Sequence, residues 1–236
     1  MNTPNRRPRR PLIDAAARYR GRVPGGTPHE ERPLLRGWLH ASAFVAAIPA
    51  GALLIANAHG AASRAAAAVY VATLLMLFGT SAGYHLLARS LRARSIMQRI
   101  DHSMIYLLIT GTYVPMCLIA LPPTWGIPLL AAVGLCAVVG VVLKVLAIRA
   151  VWVGHALYPL MGWASLAVAP AFARHMSDGQ LALLAGGGVA YTVGFPVLFL
   201  RRPDPWPRAF GYHEVWHGCT VVAAVLHFAV IATVVQ

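Results

Sequence analysis

His213, Glu214 and His217 stand in the spacing His-Glu-x-x-His. Four residues apart on a helix, two imidazoles lie on one face, one turn from each other, where they can chelate a single metal ion. In metalloproteases this motif binds zinc through the histidines and activates water through the glutamate. Here the five residues open an apolar run rather than line a soluble cleft, so the metal-binding half transfers more readily than the protease half. Two histidines leave zinc incomplete, because catalytic sites use three protein ligands and a water. His85 is the best third ligand. Ser81 stands one turn before it on the same face, and Asp101 begins the next apolar run; either can hydrogen-bond a ligand or a water at the metal.

Each of these residues also has a plainer reading. A single histidine near a membrane-helix end commonly sits at the interface. Asp101 can pair with Arg99 or cap a helix start, and Ser81 can bond back to a carbonyl one turn earlier. What sets the group apart is depth: His85, Asp101, His102, His213, Glu214 and His217 all lie next to Arg-bearing connections. Ionisable groups inside spans face a bundle interior or a cavity. His102 points about 100° away from Asp101 around a helix and reads as interfacial. His227 is roughly 15 Å further along the axis than His217 and reads as a packing or hydrogen-bonding residue. His29 falls in the tail, His59 and His175 in outer connections, and His40 and His155 in apolar runs without an evident companion.

The elements that position these residues follow from composition. Hydrophobic residues make up 58% of the chain and charged ones 11%, against about a quarter charged in soluble domains. Such a balance cannot dress a water-exposed surface. Apolar runs at about 37–58, 65–88, 103–121, 125–147, 150–173, 180–200 and 212–235 each approach the ~20 residues needed to cross a bilayer. They predict an all-α, polytopic seven-helix membrane bundle over residues 36–236, preceded by a basic, disordered tail at 1–35. No internal repeat is evident, and the Gly186 to Gly188 run with Gly194 before Pro196 in the sixth span reads as close helix packing, a kink being the alternative that the proline allows. Cys117, Cys136 and Cys219 lie inside apolar runs without a Cys-x-x-Cys pair and read as packing residues. The first 35 residues lack the apolar stretch of a cleavable signal peptide.

The net charge of +13 reflects topology rather than nucleic-acid binding. Of 20 Lys and Arg residues, 18 fall in the amino-terminal arm and in the second, fourth and sixth connections. Only Arg64 and Arg174 fall on the other side. The positive-inside bias then places the amino terminus in the cytoplasm and the carboxyl terminus outside.

Three segments resemble the hemolysin III-like proteins, which are related to the adiponectin and progestin receptors. They are Ser81 to His85 (SAGYH), Arg99 to Met116 (RIDHSMIYLLITGTYVPM) and Phe210 to Phe228 (FGYHEVWHGCTVVAAVLHF). The resemblance covers about 150 residues. It implies a zinc ion near the cytoplasmic face held by His85, His213 and His217, with Asp101 partnering the water and Ser81 in a supporting position. Glu214 departs from the receptor relatives, which argues against an obligatory general base there. The implied activity is zinc-dependent intramembrane hydrolysis of a lipid amide, with membrane lipids as the partners and the cell membrane as the location. The alternatives are a non-catalytic sensor or receptor-like protein with a structural zinc, or a cytolytic pore. Permanently membrane-integrated spans argue against a secreted pore former.

The charge count makes a direct prediction. Alkaline phosphatase fused after Gln236 is active in cells and a fluorescent protein fused there is dark; the opposite pair of results would reverse the orientation.

Overall fold

The computed structural model describes residues 33–146 and 151–236. The tail expected at 1–35 lies almost wholly outside them, as does His29. Seven helical segments of the described chain are long and apolar enough to cross a membrane, and there is no β-strand among the described residues beyond the single bridge between Trp206 and Phe210. The protein is an all-α, multi-pass membrane protein. In hydrocarbon no water satisfies backbone N–H and C=O groups, which is why the segments that cross it are helical.

The helices are α1 (Trp38–Asn57), α2 (Gly60–Leu87), α3 (Leu91–Pro115), α4 (Pro123–Val145), α5 (Val151–Gly162), α6 (Ala169–His175), α7 (Asp178–Leu200) and α8 (Tyr212–Val235). Neighbours in sequence pack side by side, and α8 rests on α7 while also touching α1, α2 and α3. The last span therefore meets the first three, and the bundle closes on itself. Large apolar side chains such as Leu53, Leu135, Val193 and Val225 remain exposed on the outside, as lipid-facing residues should.

Local chemistry sets the boundaries. Ser90 caps α3 by accepting from the Ala93 amide at 3.1 Å, and Ser177 and Gln180 form a reciprocal capping box at the start of α7. Pro123 begins α4 at the first-turn position, where a missing N–H is harmless. At its far end α3 continues past Pro115 into a π-helical turn over Met116–Ala120.

Two features differ from the sequence reading. First, α3 starts at Leu91, well before the apolar run, so Asp101 and His102 sit inside a helix rather than at its start. Second, the fifth span is not continuous: α5 ends at Gly162, a 3-10 turn covers Ala164–Val168, and α6 completes the crossing. The Tyr113 hydroxyl enters this break, donating to the carbonyl of Met161 at 2.9 Å and accepting from the Ser165 amide at 2.9 Å. Broken helices persist at membrane depth only where such partners take up the freed backbone groups. α7 runs as one helix through Pro196 to Leu200.

Close helix approach depends on glycine at a few positions. On α3, a Cβ at Gly111 would collide with the Thr73 hydroxyl of α2, whereas one at Gly134 on α4 would meet nothing within 4 Å. Gly111→Ala should therefore lower stability by about 1–3 kcal/mol, the usual cost of overpacking, whereas Gly134→Ala should keep it or raise it by up to about 1 kcal/mol through helix propensity. Thermal melts of the purified protein in detergent check both.

Candidate metal centre

Two helices bring the three predicted histidines together. His85 comes from the last turn of α2, and His213 and His217 come from the first two turns of α8. Each offers one nitrogen, and these three atoms lie within 4.8 Å of one another. The ring centroids are 4.8 Å apart for His85 and His213, 5.0 Å for His85 and His217, and 4.5 Å for His213 and His217. The Nε2 atoms of His85 and His213 are 3.2 Å apart. Two nitrogen ligands of a tetrahedral zinc, each at ~2.0–2.1 Å, would be separated by about 3.3 Å. His85 and His217 are buried, at 7% and 3% exposure. The Nδ1 atom of His217 is buried with no hydrogen-bond partner, and an orphaned polar atom of this kind costs about 1–3 kcal/mol unless something satisfies it. This group can hold a metal ion.

Asp101 and Ser81 form a second pair, joined to the histidines through Ser81 on the helix of His85. Ser81 is buried one turn before His85 on α2, and its hydroxyl lies beside the carboxylate of Asp101 on α3. The anticipated pairing of Asp101 with Arg99 is not among the ion pairs of the described residues, and the cap of α3 is Ser90 instead. Among the described residues, the ion-pair partner of Asp101 is His102, whose Nδ1 lies 3.5 Å from the carboxylate. That same nitrogen donates to the Gln98 carbonyl at 2.8 Å, so it carries a proton. His102 is thus folded back toward Asp101 and its own helix rather than turned away to the interface.

Glu214 has a role of its own. It is completely buried, and both of its carboxylate oxygens are engaged. One accepts from the Gly211 amide at 2.8 Å at the start of its own helix, and the other pairs with the Arg36 guanidinium. A carboxylate at a helix N-terminus also meets the positive end of the helix dipole. The motif's glutamate therefore anchors the start of α8 and does not offer a free oxygen to a water.

The sequence reading also missed two residues. His40, taken there as having no companion, is buried on α1 with its ring stacked on His217, centroids 3.8 Å apart and planes within 9°. Its Nε2 lies 2.9 Å from the Thr220 hydroxyl. Arg36 was counted only as a topological charge. Neither position is linked to α8 by any local spacing, since their partners lie 180 and 178 residues away. His155 also has aromatic company, lying against Tyr158 and Phe199. His227 behaves as expected: it packs on α7 at Gly187 and its Nε2 lies 3.3 Å from the Leu184 carbonyl.

Comparison with known proteins agrees with this architecture. The family profile described as "Haemolysin-III related" matches residues 29–228, a stretch that contains all three histidines together with Ser81 and Asp101. "Hemolysin-3" of Bacillus cereus is 32% identical over 182 residues, covering 75% of this chain and 80% of the relative. "Hemolysin-3 homolog" of Bacillus subtilis (strain 168) is 32% identical over 183 residues, covering 75% and 82%. With seven apolar spans and a family match across most of its length, this chain belongs to the haemolysin-III related family.

Proposed function

We propose that the protein is a zinc-dependent intramembrane hydrolase acting on a lipid amide. The observation that carries this reading is the juxtaposition on α2 of His85, in the three-histidine group, with Ser81, which lies beside Asp101. His85, His213 and His217 would hold the ion. All three are imidazoles, ligands that suit zinc, and they leave one tetrahedral position open. When bound, zinc supplies Lewis-acid polarisation of a carbonyl and a water that is nucleophilic near neutral pH.

The chain's own groups would do the rest. Asp101 orients the attacking water and takes its proton, then returns that proton to the leaving amine. Ser81 holds the Asp101 carboxylate in place by hydrogen bonding. Glu214, committed to Gly211 and Arg36, takes no part in proton transfer. The ends of α2 and α3 carry the exposed apolar side chains Leu87 and Leu91, which favours a substrate arriving from the lipid phase. A membrane lipid is the natural partner for such an entrance, and no nucleic acid or protein partner is needed.

A second reading is favoured by the depth of His85 and His217. A buried ion joining α2 to α8 can serve as a structural cross-link in a sensor or receptor-like protein. The name "Hemolysin-3" borne by the relatives adds cytolysis as a third, for which the metal group offers no mechanism.

Two measurements separate these readings. Purified protein should bind close to one zinc per chain, with His213→Ala or His217→Ala abolishing high-affinity binding; stoichiometric zinc in both variants would remove the metal reading altogether. On fluorogenic long-chain amides in mixed micelles, Asp101→Asn should reduce kcat by about 10²–10⁴, the range of a lost general base, while zinc content stays intact. Unchanged turnover in Asp101→Asn would sink the assigned role, and zinc binding without turnover of any lipid amide would favour the structural cross-link.

A further inference from the structure

The start of the first span forms a wall of the metal centre, although it supplies none of the three grouped nitrogens. Gly37 adopts φ +87°, and a Cβ there would stand 2.7 Å from the Cβ of His85. The left-handed conformation and the missing side chain together let the backbone lie against this histidine. Arg36 pairs with Glu214 one residue from His213. His40, one turn further on, covers the face of His217.

Hydrogen bonding holds His40 in its place. The Thr220 hydroxyl has a single proton, which it donates to the His217 carbonyl at 2.8 Å. The same oxygen lies 2.9 Å from the Nε2 atom of His40. The Nδ1 atom of His40 is buried and without a hydrogen-bond partner. A histidine kept in hydrocarbon for packing alone would be better replaced by an apolar ring, since an unsatisfied buried nitrogen is costly. What His40 gains from its place is a flat ring held at a fixed height by Thr220, parallel to the ring of His217. Phe78 braces it from another side, with centroids 5.1 Å apart.

We propose that His40 is a positioning residue of the metal centre, one that sets the plane of the His217 ring by stacking while Thr220 anchors it. The inference rests on the metal-binding reading above. Ligand orientation matters because the nitrogen lone pair must point at the ion, and partners that orient ligands typically contribute 10–100-fold in metal affinity. Neither His40 nor Thr220 is counted among the ligands or the proton-transfer groups.

The test uses the full chain in detergent, with zinc affinity measured by competition with a chelator and cobalt(II) as a spectroscopic probe of site geometry. His40→Ala should weaken zinc by about tenfold or more and shift or weaken the visible cobalt bands. His40→Phe, which restores a flat ring, should recover most of the affinity. Thr220→Val should give a smaller loss in the same direction, and it carries the test if His40→Ala does not fold. Wild-type affinity and cobalt spectra in His40→Ala, or in Thr220→Val where the alanine variant is lost, would overturn the positioning role while leaving the metal site standing. A wild-type chain that binds neither metal would overturn both.

Discussion

Hydrocarbon offers no hydrogen bonds, so each polar group that the chain carries into the bilayer must find its partner within the chain. Much of the architecture follows from this constraint. Thr110 and Thr112 bond back to carbonyls one turn earlier, Tyr106 donates to Gly154 on the neighbouring span, and Tyr113 enters the break in the fifth span where backbone groups are released. The same constraint gives the histidine group its interest. His217 is buried with an unpartnered nitrogen in a setting where most other polar side chains have been satisfied, and a cation is the chemical species that three converging imidazoles suit best.

The arrangement around Glu214 shows how the setting changes what a motif means. In a water-filled cleft, the glutamate of His-Glu-x-x-His is available to a water. In this bundle a carboxylate with 0% exposure must be compensated, and Arg36 and the Gly211 amide compensate it. Removing either charge of a buried pair leaves the other unsatisfied, which is generally far more destabilising than the intact pair is stabilising. The motif's two histidines keep their geometry because helical periodicity alone produces it. Its glutamate acquires a different duty because duty depends on the partners that surround it.

The number of spans and the pairing of His213 with His217 were legible in the sequence because both rest on local rules, whereas His85, 128 residues from His213, was tied to them only by its depth beside an Arg-bearing connection and by the family resemblance. Apolar run length and the i, i+4 spacing need no knowledge of the fold. The start of α3 was hidden because residues 91–100 are rich in Arg and polar groups and resemble a connection, although Ser90 is a cap signal in plain view. The break in the fifth span was hidden for the opposite reason: its composition stays apolar throughout, and the residue that makes the break tolerable, Tyr113, belongs to another helix. His40 and Arg36 illustrate the deepest limit. Their partners are almost the whole chain away, and only closure of the bundle brings them together.

That closure has a consequence for how the protein is made. The contacts joining the first span to the last, Arg36 with Glu214 and His40 with Thr220, bridge 178 and 180 residues. The segment just before α1 is also tied by its backbone to the connection that precedes α8, through Leu34 with Arg208 and Leu35 with Ala209. At about 5–20 residues per second, translation leaves the first span waiting roughly ten to forty seconds before the ribosome delivers its counterpart. Throughout that interval a guanidinium and an imidazole at the membrane entrance have no native partner. The meeting of His85 with His213 and His217 likewise forms only once the last span has been made.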